Sequence, residues 1–63
     1  MKARELIKRL NENGWYEIRM NGSHRIFRHN DFKYPISVPD NRGVDINPNT
    51  LRQIYRDAGW GKP

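Results

Sequence analysis

Tyr16-Glu17-Ile18-Arg19-Met20-Asn21-Gly22-Ser23-His24-Arg25-Ile26-Phe27-Arg28-His29 reads as two alternating runs joined by a turn. Tyr16, Ile18 and Met20 share one face and Trp15, Glu17 and Arg19 the other, the period of a strand with one buried side. Asn21-Gly22-Ser23 reverses the chain, and Asn-Gly is a strong hairpin signal. The returning strand runs from about His24 to His29. Arg25, Phe27 and His29 share one of its faces; His24, Ile26 and Arg28 share the other. Ile26 and Phe27 compete for the core, so alternation alone leaves the buried face open, and a bulge near the turn would change the count. His24 is therefore expected at the mouth of a strand, held by a tight turn.

Outward from the hairpin, helices close both ends of the chain. Ala3, Leu6, Ile7 and Leu10 form one apolar stripe within a helix expected over residues 2–13. Glu5 and Arg9 stand at i, i+4 on its outer face, as do Arg4 and Lys8, read as a solvated basic row. Gly14 stops this helix in the left-handed conformation and Trp15 folds back on it. After an Asn30-Asp31 turn, Tyr34, Ile36 and Val38 alternate with Pro35, Ser37 and Pro39; prolines on one face mark an edge strand. Residues 40–47 form a polar loop. Asn47 caps a last helix with Pro48 in its first position and an apolar stripe of Leu51, Ile54, Tyr55 and Ala58. Gly59-Trp60 ends it as Gly14-Trp15 ends the first. The expected architecture is α+β: a three-stranded antiparallel meander between two helices, both helices covering one sheet face.

The chain has 63 residues, which predicts one domain over 1–63. It has no cysteine to staple the fold or ligate a metal as thiolate, which fits a reducing compartment and a cytoplasmic location. No apolar run approaches the roughly 20 residues that span a bilayer. Twelve Lys and Arg against seven Asp and Glu give a net charge of +5, an electrostatic footprint for nucleic acid or an acidic partner. Arg19, Arg25, Arg28 and Lys33 cluster around the turn and second strand.

A histidine presented among these bases points to phosphodiester chemistry. RNA carries its own nucleophile, the 2′-hydroxyl, so cleavage needs a base, an acid and positive charge. Imidazole, with an ordinary pKa of about 6.5, suits either proton role. Arg25, Arg28 and Lys33 are candidate cationic clamps. Ser23 is a phosphate hydrogen-bond donor or shapes the turn, and Gly22 admits a close phosphate or supplies positive φ. His29 falls on the face opposite His24, which disfavours a two-histidine pair. Most aromatics occupy core or capping positions; Phe32, in the turn, is a candidate base contact. The acids are scattered and no phosphate-cradling glycine loop is present, so no metal site and no cofactor is expected. The alternative is a non-catalytic RNA-binding module of similar fold, and a third reading is a protein-binding domain whose basic face meets an acidic partner.

Gly22-Ser23-His24-Arg25-Ile26-Phe27 resembles the glycine–serine–histidine motif of the HicA-type toxins. Arg4 to Leu10 resembles their opening helix, Gly14-Trp15-Tyr16 the start of the first strand and Val38-Pro39 the end of the third. Thr50 to Ile54 through Ala58-Gly59 resembles the closing helix. The resemblance implies a fold like the double-stranded-RNA-binding domain and a ribonuclease that cleaves messenger RNA. It implies that His24 is the catalytic residue and that a HicB-type antitoxin neutralises the protein. Asp40 stands where many members carry histidine, so that loop supplies no second histidine. Asn21 stands where many carry a base, which removes one positive charge beside the turn.

Overall fold

In chain order the elements are α1 (Ala3–Glu12), β1 (Tyr16–Asn21), β2 (His24–Arg28), β3 (Ile36–Pro39) and α2 (Pro48–Asp57), in a computed structural model that describes residues 1–63. The sheet order is β1-β2-β3 with both pairings antiparallel, so β2 is central and β3, with its prolines, is an edge. The architecture is the α+β arrangement expected, with the element order of a double-stranded-RNA-binding-domain-like fold.

Both helices lie on one sheet face. Ala3, Leu6 and Leu10 of α1 and Ile54 and Tyr55 of α2, with Ala58 at its end, bury against Phe27, Ile36 and Val38. Phe27 decides the competition with Ile26: it is fully buried, whereas Ile26 faces outward and is half-exposed. Trp15 and the loop residue Ile46 complete the core.

The two helix ends use the same device. Gly14 has φ +91° and Gly59 φ +77°. The Trp15 N–H donates to the Leu10 carbonyl at 2.9 Å and the Gly14 N–H to Asn11 at 3.2 Å; Trp60 and Gly59 donate in the same way to Tyr55 and Arg56. These are Schellman pairs, and a tryptophan follows the glycine each time. At the start of α2 the Asn47 Oδ1 accepts the Asn49 N–H at 2.8 Å, as its cap position predicts.

Four expectations are corrected. β1 does not bury one side: Tyr16, Ile18 and Met20 are all exposed, because the helices pack over β3 and β1 lies beyond them. Its alternation is also interrupted. The register shifts between Glu17 and Arg19, placing Glu17 opposite Phe27 but Arg19 opposite Ile26, so Ile18 is the extra residue of a bulge. The Glu5–Arg9 pair does not form. Glu5 instead accepts the Lys2 N–H at 3.0 Å, and Arg9 donates to the Tyr55 hydroxyl at 3.0 Å with its guanidinium 4.2 Å from the Trp60 ring. Phe32 is a packing residue, its ring 5.0 Å from Trp15 and 4.9 Å from His29.

Candidate functional site

Asn21 and His24 face each other across a two-residue loop, Gly22-Ser23. Gly22 has φ +62° while Ser23 stays out of the left-handed region, the pattern of a type II′ hairpin with glycine in its first central position. The turn is also tied to the other side of the sheet: the Asp40 N–H donates to the Ser23 carbonyl at 2.7 Å. His24 pairs with Pro39 of β3 as well as with Asn21 of β1. It therefore occupies the first position of the central strand, with backbone braced on both sides. Its side chain is exposed and makes no hydrogen bond within the chain. The buried face belongs to Phe27, so His24, Ile26 and Arg28 project from the open face, away from both helices.

Arg25 projects the other way, toward the helices. Its Nε donates to Asp40 Oδ2 at 2.7 Å and its Nη1 to Glu17 Oε2 at 3.2 Å. These partners, the Asp40 hydrogen bond first and Glu17 second, hold the guanidinium proton more tightly than usual. One arginine thus joins β1, β2 and the loop after β3. It lines an open groove of about 610 Å³ with Arg4, Lys8 and Asn11 of α1. Arg25 does not share a face with His24, and its cationic edge is occupied by carboxylates of the chain.

Arg28 and Lys33 come together at the opposite end of β2 from His24. Arg28 Nη2 donates to the Lys33 carbonyl at 3.5 Å, and Lys33 Nζ lies 5.5 Å from the Tyr34 ring. Four residue steps along the strand separate His24 from Arg28, or about 13 Å. Alternation placed Arg19 with Glu17, away from Tyr16. The bulge instead delivers Arg19 to the face of His24, opposite Ile26, and Tyr16 stands on that face opposite Arg28.

The second histidine has a structural part. The Asp31 N–H donates to His29 Nδ1 at 2.9 Å, so Nδ1 is the acceptor and Nε2–H donates to the Asn13 carbonyl at 2.9 Å. The ring packs on Trp15 at 5.1 Å and joins the α1–β1 turn to the β2–β3 loop. Nowhere do three or more His, Cys, Asp or Glu side chains converge in a metal-binding group. No helix is long and apolar enough to cross a membrane.

A family model described as "HicA toxin of bacterial toxin-antitoxin" matches residues 3–60. No curated protein matches the chain.

Proposed function

This chain belongs to the HicA toxin family of bacterial toxin–antitoxin systems, and from that premise we propose that it is a metal-independent endoribonuclease cleaving messenger RNA with His24 as the proton-transferring group. The observation that carries this reading is the placement of His24. It is exposed, unengaged, rigidly based at the end of the central strand, and on the same face as Arg19 and Arg28.

In the proposed reaction the 2′-oxygen forms a bond to phosphorus and the bond to the 5′-oxygen breaks. One proton leaves the 2′-hydroxyl and another reaches the departing 5′-oxygen. Imidazole serves as base or acid in such a step, contributing about 10²–10⁴-fold. The Gly22-Ser23 turn, with no side chain at Gly22, admits the scissile phosphate beside the ring. Arg28 and Lys33 hold the strand farther along, and Arg25 braces the turn through Asp40. The products would be a 2′,3′-cyclic phosphate, or its opened form, and a 5′-hydroxyl. Cleavage is expected to persist in EDTA, with mass spectrometry showing 5′-hydroxyl ends. Loss in EDTA with recovery in magnesium, or 5′-phosphate ends, would exclude this chemistry. One observation favours the non-catalytic RNA-binding reading: no second imidazole stands on the face of His24. That reading predicts RNA binding without cleavage.

Family membership implies an antitoxin partner. We assign it to a HicB-type protein that presents carboxylates to the His24 face and so excludes RNA, with charge steering that speeds capture at low salt. Arg28→Glu should weaken both cleavage and antitoxin binding about tenfold or more, whereas Lys8→Glu, on α1, should change them little. Calorimetry at low and high salt beside cleavage rates measures both. Equal antitoxin affinity for Arg28→Glu and the parent would place the partner elsewhere.

A further inference from the structure

The two faces of the sheet differ in charge. No strand position on the open face carries a carboxylate: Glu17, the one acidic strand residue, is turned to the helix side and held there by Arg25. Arg19 and Arg28 stand on the open face, and an aromatic ring stands with them. Tyr16 is opposite Arg28, is 46% exposed, and is steadied by its hydroxyl donating to Asn30 Oδ1 at 3.2 Å. An exposed, oriented ring with one cation opposite it and a second farther along its strand, on a face free of strand carboxylates, is a platform for a base with its neighbouring phosphates.

We propose that the open sheet face is a track for single-stranded RNA, on which Tyr16 stacks an unpaired base while Arg19 and Arg28 hold phosphates on the way to His24. This rests on the ribonuclease reading above and adds the substrate class to it. A base stacked on Tyr16 is not available for pairing, so a duplex is a poor ligand for this face. The distance along β2 from the Tyr16–Arg28 pair to His24, about 13 Å, puts the stacked base away from the scissile bond. Tyr16 therefore sets the grip and register of the strand and takes no part in bond breaking. The bulge at Ile18 belongs to the same device, because without it Arg19 would follow Glu17 to the helix side.

The test uses the full chain carrying His24→Ala, so that bound RNA survives, with a labelled unstructured RNA of about ten nucleotides and a duplex of the same sequence. Fluorescence anisotropy should show the single strand bound more tightly than the duplex. Adding Tyr16→Ala should weaken single-strand binding by about tenfold to a hundredfold, and adding Tyr16→Phe should keep it within about twofold. Adding Arg19→Ala should lower the log–log salt slope by about 0.7. Circular dichroism confirms that each variant folds. Unchanged affinity on Tyr16→Ala, or preference for the duplex, overturns the track. Unchanged RNA affinity with weakened antitoxin capture also overturns it and gives the face to the partner protein. Tyr16-dependent binding by a chain whose parent cleaves no RNA supports the track and removes the catalytic reading instead.

Discussion

Replacing His24 with alanine is expected to lower RNA cleavage by about 10²–10⁴-fold and to leave the fold unchanged. The first half follows from the geometry: no other imidazole stands on the open face, since both ring nitrogens of His29 are engaged elsewhere. The second half follows from exposure. The His24 ring makes no internal hydrogen bond, and its strand pairings to Asn21 and Pro39 are kept by any residue. Surface changes of that kind usually shift stability by less than about 0.5 kcal/mol. The measurements are cleavage of a defined RNA and growth arrest on induction, beside thermal unfolding of the same preparation. Residual activity is expected, because the turn and the arginines still position the strand. Undiminished cleavage by the folded variant would end the assignment of His24.

Gly14→Ala is expected to destabilise the protein by about 2–4 kcal/mol, which in a domain of this size lowers the unfolding midpoint by about 10–25 °C. Two costs combine. A φ of +91° is a conformation that alanine tolerates poorly. The added Cβ would also stand 2.8 Å from His29 Nε2. A surface side chain would swing aside, but this ring is pinned at both nitrogens and packed against both Trp15 and Phe32. Moving it forfeits those bonds at about 1 kcal/mol each. Gly59→Ala is the control: the same cap, with φ +77°, but its Cβ would meet only the Phe32 ring, at an ordinary 3.6 and 3.7 Å. Its cost should be the backbone part alone, about 1–2 kcal/mol. Equal losses for the two variants would show that His29 yields freely and carries no clamp.

Asp40 accepts from Arg25 Nε at 2.7 Å and donates its N–H to the Ser23 carbonyl in the turn of His24. Its two contacts tie the start of β2 to the loop that follows β3.

Local chemistry settled the element order, both Schellman endings, the Asn47 cap and the hairpin, because glycine, proline, asparagine and apolar spacing act within a few residues of themselves. His24 at the start of a strand was legible for the same reason. The distribution of side chains between the two sheet faces was not. Phe27 prevails over Ile26 because the helices, distant in sequence, lie on its side. Arg25 looked like a phosphate ligand among its sequence neighbours, yet it faces Glu17 and Asp40, which only antiparallel pairing brings beside it. A one-residue bulge separates Arg19 from Glu17, and period-two counting has no means of seeing it. Sequence by itself determined the order of the strands and where the histidine turn lies, although β3 begins at Ile36 and leaves Tyr34 exposed before it. Tertiary structure alone decided which cations share its face, because a strand's facing depends on partners contributed by the rest of the chain.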